Sequence, residues 1–190
     1  MASKTDEAKR GDVCSHKLAL FLDNWVRRVL QNPQKIVEEY IKEGDTVIDF
    51  GCGPGYFSID MAKMVGASGT VIAADMQSDM LDRVRKKAER HNVQERMEFH
   101  RCRASSSGLQ QKADFILAFY VVHETPDARE FFKEIKQLLN SGGRLLVVEP
   151  KIHVSRRAFE DALSDAQSVG WKIADFPKGK GGRGVLLFSE

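Results

Sequence analysis

The chain has 190 residues, of which 42% are hydrophobic and 29% are charged. This is the composition of an ordinary globular protein with one sizeable core. The 29 basic and 27 acidic side chains leave a formal charge of +2, so bulk charge favours neither nucleic acid nor anionic lipid, although a local patch is compatible with it. No apolar run approaches the roughly 18 residues that span a bilayer, which excludes a bundle of membrane helices.

The cysteines and the first residues indicate the compartment. Cys14, Cys52 and Cys102 are an odd and widely spaced set, which is neither a disulfide framework nor a zinc-ligand pattern. Residues 1–10 are charged and polar without an apolar core, so no signal peptide is visible. We therefore expect a cytoplasmic protein with reduced thiols and no metal site.

The first 44 residues predict an N-terminal arm and a helical cover. Apolar residues between Leu18 and Leu30 share one helical face. Asn32 and Pro33 then begin a second helix, with Asn as the N-cap and Pro in the first turn. Gly44 is the expected end of that helix.

From residue 45 onward, short apolar runs alternate with amphipathic helical stretches, which predicts a mainly parallel sheet covered on both faces. Two of the helices are expected to open at Thr125-Pro126 and at Ser155. The last two runs are joined by a glycine-rich loop without a helix, so the final strand is expected to be antiparallel. The predicted strands are Thr46–Phe50, Thr70–Ala74, Met97–Cys102, Asp114–Phe119, Arg144–Glu149, Trp171–Phe176 and Gly184–Ser189. We expect one domain over residues 1–190, with the arm and cover in 1–44 and the core in 45–190.

The most informative segment is the glycine-rich sequence VIDFGCGPGYF, residues 47–57. A strand leads into Gly51, Gly53 and Gly55 and then into a helix, and glycines at such a turn let a ligand approach the backbone closely. Ligands of open α/β sheets bind at the carboxyl ends of strands. The turn therefore predicts a ligand site.

Two acidic residues narrow the ligand class. Asp75 ends the second predicted strand, where a carboxylate suits the two hydroxyls of a ribose. Asp49 precedes the turn and would repel the pyrophosphate of a dinucleotide, whereas it would attract a cationic ligand. The glycines also have GxGxG rather than GxGxxG spacing, and the Lys-Ser/Thr of a phosphate-binding P-loop is absent.

These residues, with Phe115–Glu124 further along, resemble the class I S-adenosylmethionine-dependent methyltransferases over roughly residues 44–190. The resemblance implies an α/β three-layer sandwich with a seven-stranded, mostly parallel sheet. It implies the strand order 3-2-1-4-5-7-6, with strand 7 antiparallel, below the N-terminal helical cover. It also implies S-adenosylmethionine as the cofactor.

The resemblance also implies roles for single positions. Asp49 would help to hold the amino group of the cofactor, Asp75 would accept from both ribose hydroxyls, Met76 would lie against the adenine, and Phe119 would approach the methionine end. The segment after the third strand carries no acidic residue for the adenine amino group, so contact at Ala104 would be made by the backbone. The expected cofactor-binding residues are Asp49, Gly51, Cys52, Gly53, Gly55, Tyr56, Phe57, Asp75, Met76, Ala104 and Phe119.

Candidate groups for the chemistry follow the fourth strand. Many methyl acceptors must lose a proton, and a histidine titrates near neutrality. His123 and Glu124 are therefore the expected catalytic base and its orienting partner, with a purely structural role for His123 as the alternative. Tyr120, Trp25 and His16 are expected to line the acceptor pocket.

The cover is only about 45 residues long, which suits a small-molecule acceptor better than a protein. We therefore expect methyl transfer to a small molecule by in-line displacement at the carboxyl ends of strands 1, 2 and 4. Three alternatives remain open. They are an RNA methyltransferase, a non-catalytic S-adenosylmethionine-binding sensor or partner subunit, and a nicotinamide-dependent oxidoreductase. Nucleic acid is not the favoured partner, no membrane partner is expected, and the oligomeric state is open.

Overall fold

The computed structural model describes residues 32–103 and 106–189. The predicted helix between Leu18 and Leu30 and the predicted site residues His16, Trp25 and Ala104 lie outside the described residues. Of the helical cover, the structure therefore describes only the part that begins at Asn32.

Seven strands form one sheet in the order β3-β2-β1-β4-β5-β7-β6. Strand β7 is antiparallel to both of its neighbours, and the other pairs are parallel. This topology confirms the predicted fold class and strand order. The strands are β1 Thr46–Phe50, β2 Thr70–Asp75, β3 Met97–Arg101, β4 Ala113–Phe119, β5 Leu139–Glu149, β6 Lys172–Asp175 and β7 Arg183–Phe188.

Helices cover both faces of the sheet, because successive strand residues point to opposite faces. In β1, Val47 packs into the core under helices α1, α2 and α3, and Ile48 packs into the core under α4 and α5. The helices are α1 Pro33–Val37, α2 Ser58–Met64, α3 Ser78–Arg90, α4 Ala128–Gln137 and α5 Arg156–Ser168. Short 3-10 turns precede β3 and follow β4, the latter spanning Val122–Glu124.

Several predicted boundaries differ from those observed. The predicted cap holds at the start of α1, where Asn32 Oδ1 accepts from Gln34 N, but α1 ends at Val37 rather than at Gly44. Gly44 instead adopts a φ of +89° in the turn before β1, and its N–H donates to the carbonyl of Val65. The chain leaves the helix after Val37, although Tyr40 and Ile41 beyond it are also buried in the core.

Helix α4 begins later than predicted. Its N-cap is Asp127, whose side chain accepts from Glu130 N, and not Thr125-Pro126. A carboxylate three residues ahead of an amide is a stronger cap than Pro at this position. The predicted cap of α5 is correct, since Ser155 Oγ accepts from Ala158 N.

Within residues 32–103 and 106–189, no helix has the length and apolar character that crossing a membrane requires.

Candidate functional site

The turn between β1 and α2 has the backbone conformation that its glycines permit. Gly51, Gly53 and Gly55 have φ values of +69°, +51° and +77°, a region that other residues rarely adopt. A side-chain carbon on Gly51 would lie 2.4 Å from Cγ2 of Val121, whereas one on Gly53 would meet nothing within 4 Å. The turn therefore packs against the segment after β4 at Gly51 and leaves open space at Gly53.

Asp75 closes this turn from the end of β2. Its Oδ2 accepts from the N–H of Gly53 at 2.8 Å, and its Oδ1 accepts from the N–H of Gln77 at 2.8 Å. Burial raises the pKa of Asp75, and these amide hydrogen bonds oppose the rise. Because each carboxylate oxygen has two acceptor sites, the group can still accept two further hydrogen bonds. The structure thus brings together the glycine turn and the predicted ribose-binding carboxylate.

Asp49 lies behind the turn and is 2% exposed. Its Oδ2 accepts from Ser58 Oγ at 2.5 Å, so the first residue of α2 holds the carboxyl in place. Burial raises the pKa of Asp49 to about 7, with a smaller contribution from the nearby charge of Asp75. The carboxyl therefore changes charge near neutrality, and a neighbouring cation would favour its ionised form.

A cavity of about 380 Å³ opens beside Asp75 at the carboxyl ends of β2 and β3. It is lined by Met76, Arg101, Cys102 and Arg103, and its volume is in the range of small-molecule sites. Met76 is 44% exposed and offers an apolar surface for a flat ring. Together with the turn and Asp75, these residues fit an adenosyl group.

Four aromatic rings run along the same edge. Tyr56, Phe57, Phe119 and Tyr120 contact one another in series, with centroid separations of 5.0, 4.5 and 4.2 Å. The first three are buried, as is Cys52, so they offer little surface to a ligand, and their direct contact with a cofactor stays a prediction.

Tyr120 is the ring of this row that is partly exposed. It has a φ of +64°, a strained conformation for a non-glycine residue that is frequent at functional sites. Its hydroxyl donates to the carbonyl of Gly181 at 2.8 Å. Tyr120 therefore contacts Phe119 through its ring and the loop that joins β6 to β7 through its hydroxyl.

The β6–β7 loop is held in place by Lys180. This side chain is almost fully buried, and its Nζ donates to the carbonyl of Lys35 at 3.2 Å and to the carboxylate of Glu39. The same Nζ lies 5.1 Å from the centroid of the Tyr40 ring. The residues next to Gly181 are thus fixed to the segment that follows α1.

His123 is paired with a carboxylate that the sequence analysis did not identify. Its Nδ1 hydrogen-bonds to Oε2 of Glu149, whose Oε1 accepts from the N–H of Val122 at 2.9 Å. That hydrogen bond raises the pKa of His123. The carboxylate that is hydrogen-bonded to His123 is therefore Glu149, which is 2% exposed, where the sequence predicts Glu124 as the partner.

Glu124 is nevertheless close to the cofactor-binding edge. Burial raises its pKa, and the charge of Asp75 raises it further, while the charge of His123 lowers it. Glu124 as a whole residue is exposed to solvent. The charges of Asp75 and of His123 thus both act on the carboxyl of Glu124.

The site residues divide between the two faces of the sheet. Asp49 and Phe119 point toward α2, whereas His123 and Glu149 line a second cavity of about 370 Å³. This cavity lies between α4, α5 and the sheet, and its walls include Phe132. The sequence brings the histidine to the same edge as the glycine turn but cannot show on which face it lies.

Glu149 and the contacts of Lys180 could not be predicted from the sequence. Glu149 is the last residue of a predicted apolar strand, and nothing in the sequence indicates that its side chain is buried and hydrogen-bonded to His123. Lys180 contacts a segment more than 140 positions away, for which the sequence carries no indication. In the part of the chain that the structure describes, no group of three or more His, Cys, Asp or Glu side chains could hold a metal ion.

Comparisons with known proteins agree with this architecture. A family model described as a methyltransferase domain matches residues 41–175. A demethylmenaquinone methyltransferase from Lactobacillus johnsonii is 33% identical over 110 residues, which cover 57% of this chain and 45% of that protein. A ubiquinone/menaquinone biosynthesis C-methyltransferase from Xylella fastidiosa is 25% identical over 147 residues, covering 76% of this chain and 56% of that protein.

A solved structure is similar over nearly its whole length. It is a SAM-dependent methyltransferase from Aquifex aeolicus, with a TM-score of 0.78 and 25% identity, and the match covers 90% of this chain and 96% of that one. The chain spans about half the length of the curated relatives that it matches.

Proposed function

Because the chain belongs to the methyltransferase-domain family, we propose that it is an S-adenosylmethionine-dependent methyltransferase that acts on a small molecule. The observation that carries this proposal is the position of Asp75, whose carboxylate lies 2.8 Å from the amide of Gly53 in the glycine turn. A carboxylate suited to ribose hydroxyls and a glycine turn that a ligand can approach closely lie at the ends of the neighbouring strands β2 and β1, which matches an adenosyl ligand. The buried Asp49 suits the cationic methionine end of that ligand.

When bound, S-adenosylmethionine supplies an activated methyl group and its own leaving group. The residues of the chain would hold the ligand by contacts at both ends. Asp75 would accept from the ribose hydroxyls, Met76 would pack on the adenine, and Asp49 would favour the ammonium. Positioning of this kind supplies much of the rate enhancement in a displacement reaction.

His123 is proposed as the group that accepts a proton from the methyl acceptor. Since Nδ1 is hydrogen-bonded to Glu149, Nε2 is the nitrogen that would take the proton, as in other histidine bases oriented by a carboxylate. The His123–Glu149 pair opens onto the cavity under α4 and α5, so this role requires the acceptor to reach that side of the edge. Glu124 is the second proposed proton acceptor, because its raised pKa brings it closer to neutrality.

The acceptor to test first is demethylmenaquinone, because relatives with that substrate in their names match 57% and 62% of this chain. Tyr120 supports a ring-shaped acceptor, since a partly exposed ring next to Phe119 offers a stacking surface. Tyr120 would then form one wall of the acceptor pocket.

The test begins with cofactor binding by thermal unfolding in the presence of S-adenosylmethionine, S-adenosylhomocysteine or NAD. A ligand at about 100 times its dissociation constant adds roughly 2.7 kcal/mol, which is several degrees for a chain of this size. We expect both adenosyl ligands to stabilise the wild type and the Asp79→Ala control, and not Asp75→Ala. Stabilisation by NAD alone would overturn the proposal.

The second part follows transfer of a labelled methyl group from S-adenosylmethionine to demethylmenaquinone. Transfer that is lost in His123→Ala, with adenosyl binding intact, is the expected result. Binding of S-adenosylmethionine without transfer to demethylmenaquinone or to a panel of phenols, thiols and amines would favour the sensor or partner-subunit alternative.

A further inference from the structure

Large apolar side chains are exposed at one edge of the sheet. Among the described residues, only Met76, Ile152 and Phe176 are large hydrophobic residues with exposed side chains, at 44%, 92% and 51%. Met76 and Phe176 directly follow the carboxyl ends of β2 and β6, and Ile152 is the third residue after the carboxyl end of β5. Met76 belongs to the cavity of the candidate site, whereas Ile152 and Phe176 have no role there.

Ile152 and Phe176 lie on two loops that are tied together. Ile152 is in the turn after β5, in which the N–H of Val154 donates to the carbonyl of Pro150. Phe176 begins the β6–β7 loop, and Arg183 at the end of that loop donates from Nη1 to the carbonyl of Val154 at 2.7 Å. The two exposed side chains therefore belong to one surface, which we call the apolar rim and define as residues 150–157 and 176–183.

The apolar rim is also basic. Its two segments contain six Lys and Arg residues and no Asp or Glu. Lys180 and Arg183 are used in contacts within the fold, and the exposed cations are Lys151, Arg156, Arg157 and Lys178.

Three acidic side chains flank the rim and moderate its charge. Glu160 lies 2.8 Å from Arg156 and Asp161 lies 3.9 Å from Arg157, one helical turn further along α5. Asp175 precedes Phe176. The cations on the loops themselves, Lys151 and Lys178, have no carboxylate neighbour within either rim segment.

We propose that the apolar rim docks on the surface of an anionic lipid bilayer. Ile152 and Phe176 insert to the boundary between headgroups and acyl chains, and Lys151 and Lys178 lie against lipid phosphates. Exposed apolar side chains flanked by cations are the combination that gives interfacial binding, and each cation near an anionic surface strengthens binding about fivefold. The near-zero net charge of the whole chain predicts no membrane partner. A net charge is a sum over the whole surface and does not exclude a local basic patch.

The docking has a consequence for the site but does not rest on the proposed function. The rim is at the same edge as the glycine turn and the Met76 cavity, because β5 and β6 end where β1 and β2 end. A docked molecule would therefore present this edge to the bilayer, from which an apolar acceptor can enter without crossing water.

The test is co-sedimentation of the full chain with vesicles of phosphatidylcholine alone and of phosphatidylcholine with about one-third phosphatidylglycerol. We expect binding to the anionic vesicles that is at least tenfold stronger than to the neutral ones. The variant Ile152→Ser/Phe176→Ser is expected to lose at least tenfold in affinity, and Lys151→Ser/Lys178→Ser is expected to lose about 25-fold, which is about fivefold for each cation. Circular dichroism establishes that each variant is folded.

The matched control removes two exposed cations of helix α3, in Lys86→Ser/Arg90→Ser, and is expected to bind as the wild type does. Absence of binding to anionic vesicles, or equal loss in the control, would overturn the proposal. So would a lipid-free dimer that Ile152→Ser/Phe176→Ser dissociates, since the rim would then serve a second copy of the chain. Adenosyl binding in the same variants, measured separately, distinguishes a failed docking proposal from a failed function.

Discussion

Asp49 makes the stability of the protein depend on pH, because its carboxyl is buried behind the glycine turn. Burial raises its pKa from 3.8 to about 7, so between these values the folded chain binds a proton that the unfolded chain does not. The free energy of unfolding therefore falls as pH rises through this window. In Asp49→Asn we expect this decrease in the free energy of unfolding to disappear. The decrease amounts to a few kcal/mol, on the order of 1.4 kcal/mol for each unit by which the pKa is raised.

Urea unfolding between pH 4 and pH 8 measures this difference. Asp82→Asn is the control, because it makes the same change at an exposed carboxylate on helix α3. An Asp49→Asn profile parallel to that of the wild type would show that the carboxyl is ionised throughout.

His123 and Glu149 give a second dependence of stability on pH, and its cause is a hydrogen bond rather than burial. The hydrogen bond from Glu149 raises the pKa of His123 above its usual 6.5, so the pair stabilises the fold fully below pH 6.5 and loses this contribution as pH rises through the raised pKa. In Glu149→Gln, which retains an acceptor for the N–H of Val122, we expect the pKa of His123 to fall. Titration of the imidazole by NMR measures it directly.

Glu124→Gln is the matched control for this titration. The charge of Glu124 also raises the pKa of His123, but it is the smaller cause, so its loss is expected to lower that pKa less than Glu149→Gln does. A larger effect of Glu124→Gln would mean that Glu124 is the partner in solution.

For single residues, the sequence predicts a position correctly where that position depends only on the residue's own strand end. Asp75 could be predicted because it follows an apolar run and the glycine turn lies one strand away. Glu149 could not, because its partner His123 is 26 residues distant and the contact depends on how β4 and β5 are paired. Pairing is a property of the assembled sheet and leaves no periodic pattern in either segment.

The glycines of the turn between β1 and α2 can be required for two reasons. One is a backbone conformation with positive φ, and the other is the lack of room for a side chain. Both Gly51 and Gly53 have positive φ, which costs other residues about 1–2 kcal/mol. Only Gly51 also lacks room, since a side-chain carbon there would approach Val121 to 2.4 Å, and overpacking adds about 1–3 kcal/mol. We therefore expect Gly51→Ala to destabilise the protein more than Gly53→Ala, as measured by urea unfolding.

A double variant separates the two causes. In the Val121→Ala background, Gly51→Ala should no longer create the steric overlap with Val121. The loss in free energy of unfolding that Gly51→Ala causes there should then approach the loss caused by Gly53→Ala in the wild type. Equal losses in the two single variants would show that the neighbouring side chain moves aside freely.

Element boundaries were predictable where a local cap or an apolar run defines them. Strand β1 has the predicted bounds, and Ser155 caps α5 as expected. Strand β5 begins at Leu139, five residues before the predicted start at Arg144, because Leu139 pairs with Ala113 ahead of an irregularity in the β4–β5 register. Backbone pairing extended that strand across Gly142 and Gly143, which a pattern of side chains cannot indicate.

For the whole molecule, the alternation of strands and helices in the sequence predicted a sheet with helices on both faces. The strand order came from the resemblance to a family and was confirmed by the structure. Hydrophobicity alone does not order the strands, because Thr46–Phe50 and Ala113–Phe119 are both buried apolar runs. What distinguishes them is the glycine turn after the first, which a ligand site requires and a core does not.

The single-domain prediction has a direct test in cooperative unfolding. The two cores on either side of the sheet share every central strand, so neither has a stable surface without the other, and we expect them to unfold together. Trp171 reports one of them, since it is buried under α4 and its Nε1 donates to the carbonyl of Phe132 at 2.9 Å. Trp25→Phe leaves Trp171 as the one tryptophan of the chain. Its fluorescence and the far-ultraviolet circular dichroism, which reports both faces, should then give coincident transitions in urea. A fluorescence midpoint below that of the circular dichroism would mean that the α4–α5 face unfolds first and that the chain has two units of stability.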